Sequence, residues 1–140
     1  MSLVFPDVNV WLALASQEHT QHVDALAWWQ QELAPIAFCR FTQIGLLRLL
    51  TTAAVMNGKP LPMKRAWRVY DALMGDERVE HIAEPPAMER VFRELSSSGT
   101  LASPKLWADA YLMAFAVEAG GTVATFDQAL ARRGPSIVLA

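Results

Sequence analysis

At 140 residues, 53% apolar and 19% charged, the chain is long enough to bury one hydrophobic core and too apolar to be disordered. A net charge of −2 argues against a broad, sequence-independent nucleic-acid binder, and a lone cysteine, Cys39, rules out an internal disulfide. No basic region precedes the first apolar run, and no uninterrupted apolar stretch reaches the roughly 18 residues that span a bilayer. A soluble, cytoplasmic protein of one domain, 1–140, is expected.

In chain order, Leu3-Val4-Phe5 predicts a short buried strand, followed at once by a helix from Val8 to Ser16. A second helix is expected from about His19 to Leu33, ended by Pro35, with Val23, Leu26 and Ala27 on its apolar side. Ile36 to Cys39 predicts a buried strand. Thr42 is a candidate N-cap for a helix from Gln43 to Thr51, whose Ile44, Leu47 and Leu50 form one apolar stripe. Asn57 to Pro62 is a loop, Met63 to Met74 a helix, Val79 to Ala83 a strand, and Met88 to Leu95 a helix. Ser103-Pro104 predicts a helix start that leads to Val117 and stops at Gly120-Gly121. Thr122 to Phe126 and Ile137 to Leu139 are the last strands. Strands alternating with helices imply an α/β layered domain with a mainly parallel sheet. Of five tryptophans, most are expected in the core, although Trp28-Trp29 also suits a partner surface.

Asp7 and Asp127 each follow a strongly apolar strand, so a parallel sheet would carry both to the edge where α/β folds bind ligands. Either could merely cap the helix after it. Asp109 interrupts an apolar helical stretch, too far past Ser103 to cap it, although Lys105 could pair with it across one turn. Three acids converging at one edge suit a hard, oxygen-seeking cation such as Mg2+ or Mn2+. His19, His22 and His81 lack the spacing of a zinc site and are expected at the surface. Cys39 reads as a core thiol. Glycine patterns for nucleotide binding and a nucleophile elbow are absent.

Four stretches carry a wider likeness: Pro6-Asp7-Val8-Asn9-Val10, Phe41-Thr42-Gln43-Ile44-Gly45-Leu46-Leu47-Arg48, Leu106-Trp107-Ala108-Asp109-Ala110-Tyr111 and Thr125-Phe126-Asp127. In this order and spacing the chain resembles a PIN-domain ribonuclease, specifically a VapC-type toxin of a toxin–antitoxin pair. The resemblance implies a three-layer α/β/α fold with a short central sheet, and a Mg2+-dependent endoribonuclease. It places the metal ligands on Asp7, Asp109 and Asp127, with Thr125 and Asn9 as polar neighbours. The family's usual second acid falls on Gln43, which keeps an oxygen acceptor but no charge. Arg48, Lys105 and Arg132 are the cations considered for contact with the RNA backbone. A VapB-type antitoxin and a homodimer are implied as partners. One alternative is a catalytically degenerate PIN-like module that binds RNA or protein. Another is an aspartyl phosphotransferase, which usually wants a second acid where this chain has Asn9.

Overall fold

The computed structural model describes residues 2–99 and 101–139. Five short strands form one sheet: β1 (Val4–Pro6), β2 (Ile36–Phe38), β3 (Val79–His81), β4 (Thr122–Thr125) and β5 (Ser136–Val138). Their order is β3-β2-β1-β4-β5 and every pairing is parallel. The chain builds outward from β1 in one direction, then returns to lay β4 against its other edge. The crevice at the C-terminal ends of β1 and β4 is therefore the topological switch point, where open α/β sheets place ligands.

Among the described residues, seven helices join these strands: α1 (Val8–Ala15), α2 (His22–Gln31), α3 (Arg40–Leu50), α4 (Met63–Met74), α5 (Met88–Ser96), α6 (Leu106–Glu118) and α7 (Gln128–Ala131). Side-chain alternation along the strands splits the core into two layers. Phe5, Ala37, Cys39 and Val123 pack with Met88, Leu112, Met113 and Phe115 of α5 and α6. Ile36, Phe38 and Val79 face the opposite side, with Trp11, Leu46, Leu50 and Tyr70 of α1, α3 and α4. There Trp11 stacks on Phe38 at 3.7 Å between ring centroids, and Tyr70 meets Phe38 edge-on. This is the expected three-layer α/β/α arrangement.

Two glycines, one by close packing and one by its backbone conformation, shape the helices around the site. A Cβ on Gly45 would sit 2.6 Å from a Val8 methyl, so α3 can approach the first turn of α1 only because residue 45 has none. Gly120, at φ +74, closes α6 with bonds from Gly120 N–H to Val117 O and from Gly121 N–H to Ala116 O. That is the αL stop that favours glycine.

Several expected boundaries shift, each for a physical reason. The helix expected from His19 begins at His22, because residues 16–21 form turns held by His19 N–H to Ser16 O and His22 N–H to His19 O. It ends at Gln31, where the Glu32 carboxylate accepts from the Leu33 and Ala34 amides. Thr42 is not the cap of α3. Cys39 is, and Thr42 works from within the first turn, its hydroxyl accepting from Cys39 N–H at 3.0 Å. Ser103-Pro104 lies in the turn before α6, which starts at Leu106.

The tryptophans also differ from expectation. Trp11 is fully buried, Trp28 and Trp29 are half-buried, and Trp67 and Trp107 are exposed. Two histidines expected in solvent are engaged instead. His22 Nδ1 lies 2.7 Å from Ala13 O, and His19 Nδ1 accepts from Gln21 N–H. Arg78 clamps α2 to the start of β3: it donates to the Trp29 and Glu32 carbonyls, lies over the Trp29 ring and pairs with Asp76 at 2.8 Å. No helix among the described residues is long and apolar enough to cross a membrane.

Candidate active site

Asp7 is the single residue between β1 and α1, and its position follows from that. Its amide donates to Ala124 O at 2.9 Å, continuing the β1–β4 ladder by one step. Its Oδ1 then accepts from Asn9 N–H at 2.9 Å and Val10 N–H at 3.1 Å, capping α1. Its Oδ2 accepts from the Thr125 hydroxyl at the end of β4. The side chain is buried at the switch point. Capping and site placement are thus properties of the same carboxylate rather than rival readings of it.

Asp127 repeats the pattern on the neighbouring strand. Its Oδ1 caps α7 through Ala129 N–H at 2.8 Å and Leu130 N–H, and its own amide donates to Thr125 Oγ1 at 2.9 Å. Thr125, fully buried, therefore accepts from one acid's backbone and donates to the other's carboxylate.

Asp109 reaches the same crevice from α6. The later start of that helix puts it in the first turn, where a carboxylate is favoured by the exposed backbone N–H groups. It is half-buried, and its carboxylate makes no hydrogen bond or ion pair among the described residues. Lys105, which could have paired with it, makes no salt bridge with it, although its charge still acts on Asp109.

The electrostatics tie the three together. Burial pushes the Asp7 pKa up, the bonds from Thr125, Val10 and Asn9 pull it back, and the Asp109 charge adds to the rise. Burial also raises Asp109, the Asp127 charge raises it further, and Arg133 and Lys105 pull the other way. Asp7 thus feels Asp109, and Asp109 feels Asp127. Even so, no three His, Cys, Asp or Glu side chains among the described residues come close enough to form a ready-made chelating group. What converges is an oxygen-only set of carboxylates with one unpaired member.

The remaining sequence candidates divide. Asn9 and Arg48 meet on a groove of about 380 Å3 beside Asp7, walled by Val8, Phe41, Ile44 and Gly45. Gln43 is held by another side chain. It is buried, shares the core side of α3 with Leu46 and Leu50, and its Oε1 accepts from Arg40 Nη1 at 2.6 Å. No hydrogen bond joins it to the three acids. Burial pushes the neighbouring Tyr70 hydroxyl pKa up, with Gln43 and Arg40 opposing. Lys105 is exposed near Asp109, whereas Arg132 is an exposed residue at the end of α7.

The sequence did not single out Arg133, and it gave Arg40 no link to Gln43. Arg133, not Arg132, lies within electrostatic reach of Asp109, and Arg40 holds Gln43. The tandem arginines differ only by the phase of α7, a four-residue helix, so nothing in the residues themselves separates them. His81 ends β3 with a buried Nε2 that has no partner, and burial and the Arg40 charge push its pKa down.

With this geometry in place, the chain can be set beside known proteins. A family model described as the PIN domain matches residues 4–134. Ribonuclease VapC41 of Mycobacterium tuberculosis is 41% identical over 134 residues, covering 91% of each chain. The crystal structure of VapC20, a sarcin–ricin-loop-cleaving toxin of the same species, superposes with a TM-score of 0.71 at 17% identity, covering 98% of this chain and 99% of that one. VapBC2 from Rickettsia felis, solved bound to a DNA fragment from its promoter, gives 0.67 at 13% identity over 99% of both.

Proposed function

The chain belongs to the PIN-domain family, among proteins named VapC ribonucleases, and from that premise we propose that it is a Mg2+-dependent endoribonuclease and the toxin of a VapB-type pair. What supports this reading is the position of Asp7 and Asp127 just past the ends of β1 and β4, with Asp109 within electrostatic reach of each, and with Asp7 and Asp109 both raised by burial and by a neighbouring carboxylate.

The donor set fits a hard divalent cation. Mg2+ commonly takes one or two protein carboxylates and keeps water elsewhere, so a loosely drawn trio suits it better than a closed cage would. Asp7 and Asp109 would hold the ion, with Asp127 on its outer shell. Mn2+ offers the same donors and geometry. When bound, such an ion lowers the pKa of a water and offsets charge developing on a scissile phosphodiester.

The chain's own residues do the rest. Thr125 fixes the Asp7 carboxylate through one oxygen and α1 through the other, so the acid presents one orientation to the crevice. Asp109, unpaired on α6, is free to turn toward the ion, and Asp127 would orient a water at its outer shell. Asn9 and Arg48 stand where the RNA backbone would pass on one flank, Lys105 and Arg133 on the other. Arg132, exposed at the end of α7, is not among the charges that act on Asp109.

The Asn9–Arg48 groove is also where an antitoxin segment would cover the site, since Ile44 is half-exposed along it. A homodimer completes the proposed assembly. One observation favours a second reading. Gln43 carries no charge and is bound to Arg40, as in a PIN-like module that binds RNA or protein without cutting.

RNA cleavage by purified, antitoxin-free protein separates these, with Mg2+ or Mn2+ against EDTA and Asp109→Asn in parallel. Cleavage that needs both the metal and Asp109 is the expected result. Cleavage indifferent to either overturns the mechanism, and no cleavage by folded protein favours the binding module.

A further inference from the structure

At the start of α6 lies a hollow of about 500 Å3 that none of the three acids lines. Ser98, Leu101, Pro104, Leu106, Trp107 and Arg133 line it. Trp107 is 60% exposed, an unusual cost for the largest apolar side chain in the chain's first α6 turn. It is nevertheless held in place, its ring tilted against Phe92 at 6.3 Å between centroids. Arg133 closes the hollow on the side toward Asp109, whose pKa its charge lowers, and makes no ion pair among the described residues.

We propose that Trp107 and Arg133 form a nucleotide subsite on the α6 rim of the acidic crevice, in which an unpaired RNA base stacks on the indole and its phosphate meets the guanidinium. The inference rests on the ribonuclease reading for its substrate class. A flat, positioned π surface next to an unpaired cation recognises single-stranded nucleic acid, because every base offers a π face and every linkage a negative charge. Continuity with the acidic crevice is supplied by Arg133, which lines the hollow beside Trp107 and lies within electrostatic reach of Asp109. Trp107 would set which base position is gripped and would leave the chemistry at Asp109 alone.

The test uses the intact protein and two fluorescein-labelled probes, a mixed-sequence single-stranded RNA and its abasic counterpart, with Ca2+ in place of Mg2+. Fluorescence anisotropy should show Trp107→Ala binding the RNA roughly 5- to 100-fold more weakly, with Trp107→Phe restoring most of the loss. On the abasic backbone Trp107→Ala should bind as the unaltered protein does. Arg133→Gln should weaken binding to both probes and flatten the salt dependence by about 0.7 in the log–log slope.

Equal losses on both probes for Trp107→Ala, no loss on either, or no binding by the unaltered protein would overturn the subsite. So would a changed oligomeric mass for Trp107→Ala. Metal-dependent cleavage lost in Asp109→Asn, together with an unaffected Trp107→Ala, would sink the subsite alone. The stacking pattern without any cleavage would sink the nuclease and keep the subsite.

Discussion

Thr125 and Asp7, 118 residues apart in sequence, are joined by a hydrogen bond from the threonine hydroxyl to Asp7 Oδ2. The same hydroxyl accepts from the Asp127 amide. One buried oxygen therefore sets the spacing of two acids that reach the crevice on different strands. Removing it should disturb stability and acidity together. Thr125→Val keeps the shape but leaves the buried Asp7 Oδ2 without its donor and the part-buried Asp127 amide without its acceptor, a loss of about 1–3 kcal/mol in denaturant unfolding. Because the Thr125 bond lowers the Asp7 pKa, its loss should raise that pKa, and the acid limb of the pH–rate profile should move to higher pH. An unmoved limb would detach Asp7 from the rate.

Charge removal at the acids should separate chemistry from folding. Asn can still cap a helix, so Asp7→Asn should keep α1 while cleavage falls by roughly a hundredfold or more, the scale expected on losing a preorganised electrostatic group. Asp109→Asn should lose activity comparably. Its metal-free melting temperature should hold or rise, because a half-buried repulsion is relieved. A large fall in melting temperature would make Asp109 structural.

Gln43 offers a sharper test of what the middle helix contributes. A glutamate there would meet Arg40, whose guanidinium already lies 2.6 Å from the Gln43 oxygen. Gln43→Glu should therefore change kcat/KM by less than about fivefold, about 1 kcal/mol. A rise well beyond that would mean the crevice lacks an acid that this position can supply.

The Asp76–Arg78 pair predicts a pH dependence of stability remote from the crevice. The Arg78 guanidinium holds the Asp76 carboxyl below its ordinary value of 3.8. A depressed folded pKa adds stability above the unfolded value, and that contribution is lost as pH falls through the folded one. Arg78→Met should lower the melting temperature at neutral pH. The difference from the unaltered protein should narrow below about pH 4, and a constant difference would deny the pair any role.

How much could be read in the residues alone depended on whether the signal was local. The strands, α4 and the acids at Asp7 and Asp127 follow from short apolar runs and the residue after each. The β1–β4 crevice followed from parallel strands, which need no side-chain detail. Thr42 and Ser103 misled because both are good capping residues, while the actual starts of α3 and α6 are set by burial of Cys39 and by a turn before Leu106. The Lys105–Asp109 spacing suggested a pair that the half-buried acid does not make. Gln43 was legible as a missing charge but not as the partner of Arg40, which required knowing which side of α3 faces Tyr70. Trp107 could not be told apart from the tryptophans expected in the core, for want of any clue to the helix phase.

β1 ends at Pro6 and α1 begins at Val8, so Asp7 has no loop around it. An acid fixed at the joint of two rigid elements cannot be re-aimed by altering a connector, and any insertion there would break strand pairing and helix start at once. Diversification of such a molecule toward new RNA targets would have to proceed at the other rim, where the turn before α6 leads into Trp107. Engineers seeking altered cleavage preference should randomise that turn and leave the β1–α1 joint untouched.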